Sequence, residues 1–489
     1  MQMKLVRFLE KHFSAVLFGL SILSGAYIYG AVSYKYEWFP VPILQKAKAG
    51  YDAWRKLEAK EEIFGKVEYV AVPKEDLTTW LVEPRDYDDL LLITGGFEEQ
   101  PELCPEVGCI AWIMDRQGNV YHTWSVSRAD LFDGQEFEGF SGQPGRDNVN
   151  VLGVDLDDNG DLVVTFQAKN MFPYHIGSMR IDRNSKILWS FINHAHHWPY
   201  VADNGEALLP WAQLEQPPEQ YVGPTRIETN CSILGAVYEE GFQIFDRAGE
   251  RIRAVRFEDL FVQNGLMGLA YSVREGCDPY HINGVVEINE ATAAKIEGAE
   301  AGDIAMSLRS SSSLIVVDRH DDTIHRVIMG PMVAQHSPVV TERGTFVLFD
   351  NLGGLASQGG SRILEIDPVS GLGTSLFPLA GDTEHYLFSK EQGLVRLSEN
   401  NERALVSVSE TGQVLEVDLL EGRPIWEYLN QTSLSAFQRR IGQVTDVNYA
   451  LMETLGADYV SRDFVETVLG GTVPIGAVQP RASDRNHNQ

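Results

Sequence analysis

WIMDRQGNVYHTW, residues 112–124, runs through an apolar segment, an Asp, a polar turn with Gly, and a second segment rich in aromatic residues. That order reads as a β-hairpin whose tight turn is favoured by the Asp and the Gly. Five other stretches share the order of apolar residues, Asp, a turn of polar residues or Gly, and a second segment that is often aromatic: MRIDRNSKILWSF (179–191), QIFDRAGERIRAV (243–255), LIVVDRHDDTIHRVI (314–328), ILEIDPVSGLGTSLF (363–377) and VLEVDLLEGRPIWEY (414–428). Their turn residues are Asp115, Asp182, Asp246, Asp318, Asp367 and Asp418. A hairpin returning every ~50–70 residues implies four-stranded units, the spacing of β-propeller blades. Six copies predict an all-β fold, a six-bladed propeller over residues 81–432.

Outside this array the pattern changes. Residues 13–34, FSAVLFGLSILSGAYIYGAVSY, carry no charge, and ~20 such residues are what a helix needs to cross a bilayer. Lys4, Arg7 and Lys11 precede the run, while Tyr27, Tyr29, Tyr34, Tyr36 and Trp38 crowd its far end. This pattern predicts a cytoplasmic N-terminus at 1–12, a transmembrane helix at 13–34 and an interfacial aromatic belt. The rival is a cleaved signal peptide, but the run is long and no clean A-x-A site follows it, so it reads as an uncleaved anchor. Residues 35–80 read as a helical stalk or linker, with Ile43, Tyr51, Trp54 and Leu57 as an apolar stripe. Residues 433–489 read as a C-terminal extension and tail. Ser21 and Gly25 stand at small-xxx-small spacing, which allows helix association and a homo-oligomer. The expected location is the inner membrane, single-pass, with the propeller in the periplasm.

The 489-residue chain is 44% hydrophobic, enough for a large core, and its 69 acidic against 40 basic side chains give a net charge of −29. Such a chain repels phosphate backbones, so nucleic acid is not expected as a partner. Cys104 and Cys109 flank a short PEVG segment, and Cys231 and Cys277 remain as a second pair. An even count in an exported protein points to disulfides. CPEVGC lacks C-x-x-C spacing and a second ligand pair, so it does not read as a zinc site.

A second repeat runs out of phase with the hairpins. Eight residues before Gly160, Gly205 and Gly344 stand Leu152, His197 and His336, and HINGVVEIN opens with His281 before an insertion that ends at Gly302. One histidine in a β-protein is ordinarily structural. Three at one register of successive blades are placed to converge, because the strand opening a blade lines the central channel. Arg309 follows Gly302 by seven residues, where the other blades carry Gln167, Ala212 and Asn351. A guanidinium there suits an anion. Asn283 adds a neutral donor, and His196 beside His197 leaves open which of the two faces the channel. His122, His175, His194, His320, His325 and His385 share no register and read as structural.

Three imidazoles allow two chemistries. They could ligate a divalent metal, as in a metal-dependent hydrolase, although a neighbouring Arg disfavours a cation. Alternatively, one histidine attacks an electrophile while the other two and Arg309 neutralise oxyanion charge, which suits phosphoryl and sulfuryl transfer. No P-loop, H-E-x-x-H, G-x-S-x-G or Rossmann pattern is present, so neither a cofactor nor a nucleotide donor is expected. A propeller that only binds, as a scaffold of an envelope assembly, fits the anchor and the charge equally well.

HINGVVEIN, GDIAMSLRSSSSLIVVD, AQHSPVVTERGTFVLFDN and SRILEID resemble the bacterial aryl-sulfate sulfotransferases. The resemblance covers about Leu90 to Asn430 and is strongest from Asp278 to Asp367. It implies a periplasmic six-bladed propeller that moves a sulfuryl group between phenols without a nucleotide donor, through a sulfated histidine. On that likeness His336 is the nucleophile; His281, Arg309 and His197 bind sulfuryl oxygens; Asn283 and His196 contact substrate. Partners would be aryl sulfates and phenols, with no metal. The family's typical members are soluble with cleaved signals, whereas this chain carries an anchor-like run.

Overall fold

The computed structural model describes residues 17–19, 21–30, 32–33, 35–36, 39, 69–71, 83, 85, 87–97, 99–105, 107–142, 144–168, 171–215, 237–272, 278–354, 360–433 and 449–478. The chain divides into two units, Met1–Phe64 and Gly65–Gln489.

In the first unit residues 17–19, 21–30, 32–33 and 35–36 are helical, and Leu17, Phe18, Ile22, Leu23, Tyr27 and Ile28 are exposed. No helix among the described residues is long and apolar enough to cross a membrane. The transmembrane reading of 13–34 is therefore unconfirmed: the described helix is short, and the rest of the span lies outside the described residues. Most of the stalk reading at 35–80 lies outside them too.

The second unit is a six-bladed β-propeller. Blade 2 uses Val149–Leu156, Leu162–Ala168, His175–Ile181 and Ile187–Phe191; blade 3 uses Tyr200–Val201, Ala207–Glu215, Val237–Phe245 and Arg251–Arg256. Blade 4 comprises Ile282–Glu287, Ile304–Leu308, Ser313–Val317 and Ile324–Met329, and blade 5 comprises His336–Val340, Phe346–Asp350, Arg362–Ile366 and Gly373–Phe377. Blade 6 is Leu394–Leu397, Arg403–Val408, Gln413–Asp418 and Arg423–Leu429. Blade 1 joins Asp89–Thr94, Ala111–Met114 and Asn119–Trp124 to Ala457–Ser461 and Gly476–Ala477.

Each repeat Asp lies at the outer hairpin of its blade and does one job. The carboxylate accepts the backbone N–H two residues on in Asp115, Asp182, Asp318, Asp367 and Asp418, and four on in Asp246. This is the Asx turn that selects Asp at such a site. The inner hairpins turn at Gly160, Gly205, Gly302 and Gly344, all at positive φ (87°, 82°, 94° and 72°), where a side chain is strained.

Strand periodicity explains how the ring closes. Successive residues point to opposite faces, so Leu90 and Leu92 pack towards blade 2 while Leu91 and Ile93 pack towards blade 6. Ile304, Met306 and Leu308 meet blade 3, and Ala305 meets blade 5. Every blade is thus covered on both faces, and six apolar clusters fill the six interfaces. The extension expected at 433–489 is partly propeller: Ala457–Ser461 is the blade 1 strand that pairs with Asp89–Thr94 and ties the two chain ends together. Arg116, buried at the same closure, forks onto both carboxylate oxygens of Glu416 at 2.7 Å. Cys104 and Cys109 form a disulfide; Cys231 and Cys277 lie outside the described residues.

Candidate functional site

The entries to the innermost strands of blades 3, 4 and 5 carry His197, His281 and His336, and the propeller brings the three rings together. Ring centres are 5.1 Å apart for His197–His281, 5.8 Å for His197–His336 and 6.3 Å for His281–His336. His197 (φ 55°), His281 (52°), Ser337 (53°) and Ala334 (56°) all adopt left-handed backbone. That conformation is uncommon for residues with a Cβ and gathers where function demands a particular aim.

Each imidazole has one nitrogen already committed. His336 Nδ1 bonds Asn351 Oδ1 at 2.7 Å. Asn351 Nδ2 donates to the carbonyls of Ser389 (2.9 Å) and Gln392 (2.6 Å), which fixes Oδ1 as the acceptor. His336 therefore carries its proton on Nδ1, and Nε2 keeps a lone pair. His281 Nδ1 bonds Asp278 Oδ2 at 2.5 Å. His197 Nδ1 bonds His196 Nδ1, also at 2.5 Å. The three Nε2 atoms are left for the shared space, and one nitrogen from each ring lies within 4.8 Å of the others. That spacing could also hold a metal ion.

The electrostatics keep the buried imidazoles neutral. Burial, with the charges of His281 and Arg309, pushes His336 down to about 3. His175, His196 and His197 are also held well below the usual imidazole range, mainly by burial. Burial acts to raise Asp278, but the neighbouring His281 outweighs it and holds the carboxyl at about 2. Glu240 receives the backbone N–H groups of Tyr280 and Ile282, both at 2.9 Å. Burial, then the Asp278 charge, raises its pKa well above the carboxylate range.

Arg309 is half-buried. Its N–H donates to the His281 carbonyl at 3.0 Å, and its charge reaches His336. Asn283 and His196 stand behind the trio. Asn283 Nδ2 donates to the Gln335 carbonyl at 2.6 Å, bracing the residue before His336. His196 packs on His175 with ring centres 4.1 Å apart. Beneath the trio, Trp198 meets His336 edge-on at 6.1 Å. A cavity of about 370 Å³ continues along the inner strands, lined by Trp198, Gly284, Ser337, Asp155, Arg396 and Asp458 among others. None of the three imidazoles lines it. Burial raises its Asp155 to about 7.

Sequence reasoning missed Asn351 and Asp278 as partners of the histidines. The available signals were the Asn closing FVLFDN and the Asp three residues before His281.

The arylsulfotransferase (ASST) family matches residues 242–431. This segment runs from blade 3 through blade 6 and contains His281, Arg309, His336 and Asn351, and the chain carries the family's pattern there on a β-propeller. Comparison with curated proteins returns no match. Similar solved structures include a protein of unknown function from Bacteroides caccae, with 12% identity, 76% of this chain and 99% of that chain covered, and TM-score 0.41. Virginiamycin B lyase from Staphylococcus aureus gives 10% identity, 59% and 72% coverage, and TM-score 0.34. Apo AztD from Citrobacter koseri gives 10%, 76% and 98%, and 0.33.

Proposed function

We propose that the protein transfers a sulfuryl group from an aryl sulfate to a phenol, with His336 Nε2 as the nucleophile. The family match supports sulfuryl transfer at the level of the family. The observation that carries the finer reading is the neutral, buried His336, whose proton is held on Nδ1 by Asn351. In the first step the Nε2 lone pair attacks sulfur, an N–S bond forms, the S–O bond breaks and the phenolate leaves with the electron pair. Arg309 and the Nε2 edges of His197 and His281 face the sulfuryl oxygens, where charge-assisted donors count most. In the second step the acceptor phenol gives its proton to His281, which Asp278 orients and charges favourably. The phenol oxygen then attacks sulfur and the N–S bond breaks, restoring His336, and the proton leaves His281 for solvent, where it balances the phenolate released in the first step.

Purified protein should transfer sulfate from p-nitrophenyl sulfate to phenol and carry a sulfuryl adduct on His336 by mass spectrometry. His336→Asn should abolish both. Turnover surviving that change, or a stoichiometric metal in the trio, would remove the nucleophile assignment. Aryl sulfate binding without turnover would instead favour a binding-only propeller.

The same reading places the propeller in the periplasm behind an inner-membrane anchor. The uncharged run after Lys4, Arg7 and Lys11, the exposed apolar helix residues and the disulfide support it. Membrane fractionation with and without residues 1–64 tests it: release of the shortened chain is the expected result.

A further inference from the structure

Away from the trio, three side chains able to ligate a metal meet at the other end of blade 4: Asp303, Asp318 and His325. The strand register puts them there. Ile304 pairs with Val317, and Val317 with Ile324. Asp303 just precedes the blade's second strand, Asp318 just follows its third, and His325 is the second residue of its fourth. Val316 faces Arg326 while Val317 faces Ile324, so His325 is the extra residue of a β-bulge, a device that re-aims a side chain. The corresponding bulges of blades 1, 2, 3 and 6 place Tyr121, Leu188, Ile252 and Ile425 at this position, whereas the bulge of blade 5 lies at the opposite end of its hairpin.

The imidazole is nine-tenths buried, and Nε2 lies 3.4 Å from Asp303 Oδ2 and 3.7 Å from Asp318 Oδ2. Among the described residues Nε2 has no hydrogen-bond partner. These separations exceed the 2.7–3.2 Å of an N–H···O bond. They fit two ligands of one ion: tetrahedral coordination at ~2.0–2.2 Å sets neighbouring ligand atoms about 3.4 Å apart. The other carboxylate oxygens are occupied. Asp303 Oδ1 accepts the Arg319 N–H, and Asp318 Oδ1 accepts those of His320 and Asp321. In blade 2 the equivalent Asp161 is paired with the Arg180 guanidinium. Among the described residues no Lys or Arg side chain pairs with Asp303 or Asp318.

We propose that Asp303, Asp318 and His325 bind a first-row divalent cation, Zn²⁺ fitting best, through the two Oδ2 atoms and Nε2. Water completes the tetrahedron from the side of Asp318, the most exposed of the three. Two carboxylates balance the ion's charge, and one imidazole biases the site away from Mg²⁺ and Ca²⁺. Asp303 Oδ2 also accepts the Glu300 N–H at 2.8 Å, so the ion would clasp three strands and the insertion that ends at Gly302.

The test titrates full-length protein, stripped by chelator, with Zn²⁺ and with Co²⁺. Expected are one equivalent bound at this site, a rise in Tm, and the visible d–d bands of tetrahedral cobalt. His325→Gln should weaken that equivalent by about 100-fold or more. Asp318→Asn, which keeps the turn's shape, should weaken it too, whereas His336→Asn should leave it intact. Absence of saturable binding by the wild type would overturn the proposal. So would binding lost in His336→Asn but kept in His325→Gln, or kept in all three variants.

Discussion

Asn351→Asp is the most informative single change at the trio, because it preserves shape and alters one charge. Asn351 Oδ1 lies 2.7 Å from His336 Nδ1 in a buried site. A carboxylate there favours the imidazolium, and an opposite charge at such range moves a pKa by ~1–3 units. His336 starts at about 3, so the variant should titrate at about 4–6. Protonation removes the Nε2 lone pair, so activity falls as pH drops through that value. At pH 5 the wild-type imidazole is about 99% neutral, whereas the variant is about 50% neutral after a two-unit shift and about 10% after three.

The assay is the burst of nitrophenol from p-nitrophenyl sulfate, quenched in base and read as the ratio of rates at pH 5 and pH 8. Asn351→Asp also removes the donors to Ser389 and Gln392, at about 1–3 kcal/mol each, and it repels an anionic substrate. Those penalties act at both pH values and largely cancel in the ratio. His281, His197 and Arg309 face His336 equally in both proteins. The ratio should stay near one for wild type and fall for the variant by about 1.1-, 2- or 10-fold for a shift of one, two or three units. A folded variant that is still sulfated at His336 and shows an unchanged ratio would refute the tautomer argument.

The buried histidines make stability acid-sensitive. His336 is at about 3 when folded and at about 6.5 unfolded, so the unfolded chain takes the proton first and stability is lost as pH falls from about 6.5 towards 3. At 1.36 kcal/mol per unit, His336 alone accounts for about 5 kcal/mol at the low end; urea midpoints over this range should flatten in His336→Asn. Asp278→Asn should leave the nitrophenol burst but slow steady turnover about 10²- to 10⁴-fold, the scale of lost general-base help, and an equal loss of both would refute the assignment. Glu416→Leu strips Arg116 of its 2.7 Å fork and should cost about 3–5 kcal/mol by denaturant midpoint, while the specific activity of the folded fraction stays unchanged.

The parts legible in the sequence were those set by local chemistry. An Asp that caps its own turn needs no distant partner, so Asp115, Asp182, Asp246, Asp318, Asp367 and Asp418 marked six outer hairpins before any strand was paired. The register of His197 and His336 was legible for the same reason, since each is counted eight residues back from the glycine of its own inner hairpin, and His281 opens HINGVVEIN before the insertion that ends at Gly302. The closing strand Ala457–Ser461 was not. Five residues, ADYVS, carry little period of their own, and their partner Asp89–Thr94 lies near the other end of the chain. The Nδ1 partners escaped too: which side chain meets His336 depends on where the end of a neighbouring strand falls, not on spacing along one strand.

His325 shows the limit most sharply. Counted along the sequence it matched no histidine register and read as structural. Its aim comes from a bulge, and a bulge is a mismatch between two strands that neither strand records alone. The same reasoning separates the two histidine clusters in kind. The trio sits where three blades meet, with every Nδ1 engaged and the Arg309 charge reaching His336. The blade 4 cluster lies within one sheet, pairs its imidazole with two carboxylates, and has no such cation paired with it among the described residues. An arginine beside imidazoles favours an anion, and carboxylates beside an imidazole favour a cation. On the two proposals, the ends of blade 4 take ligands of opposite sign.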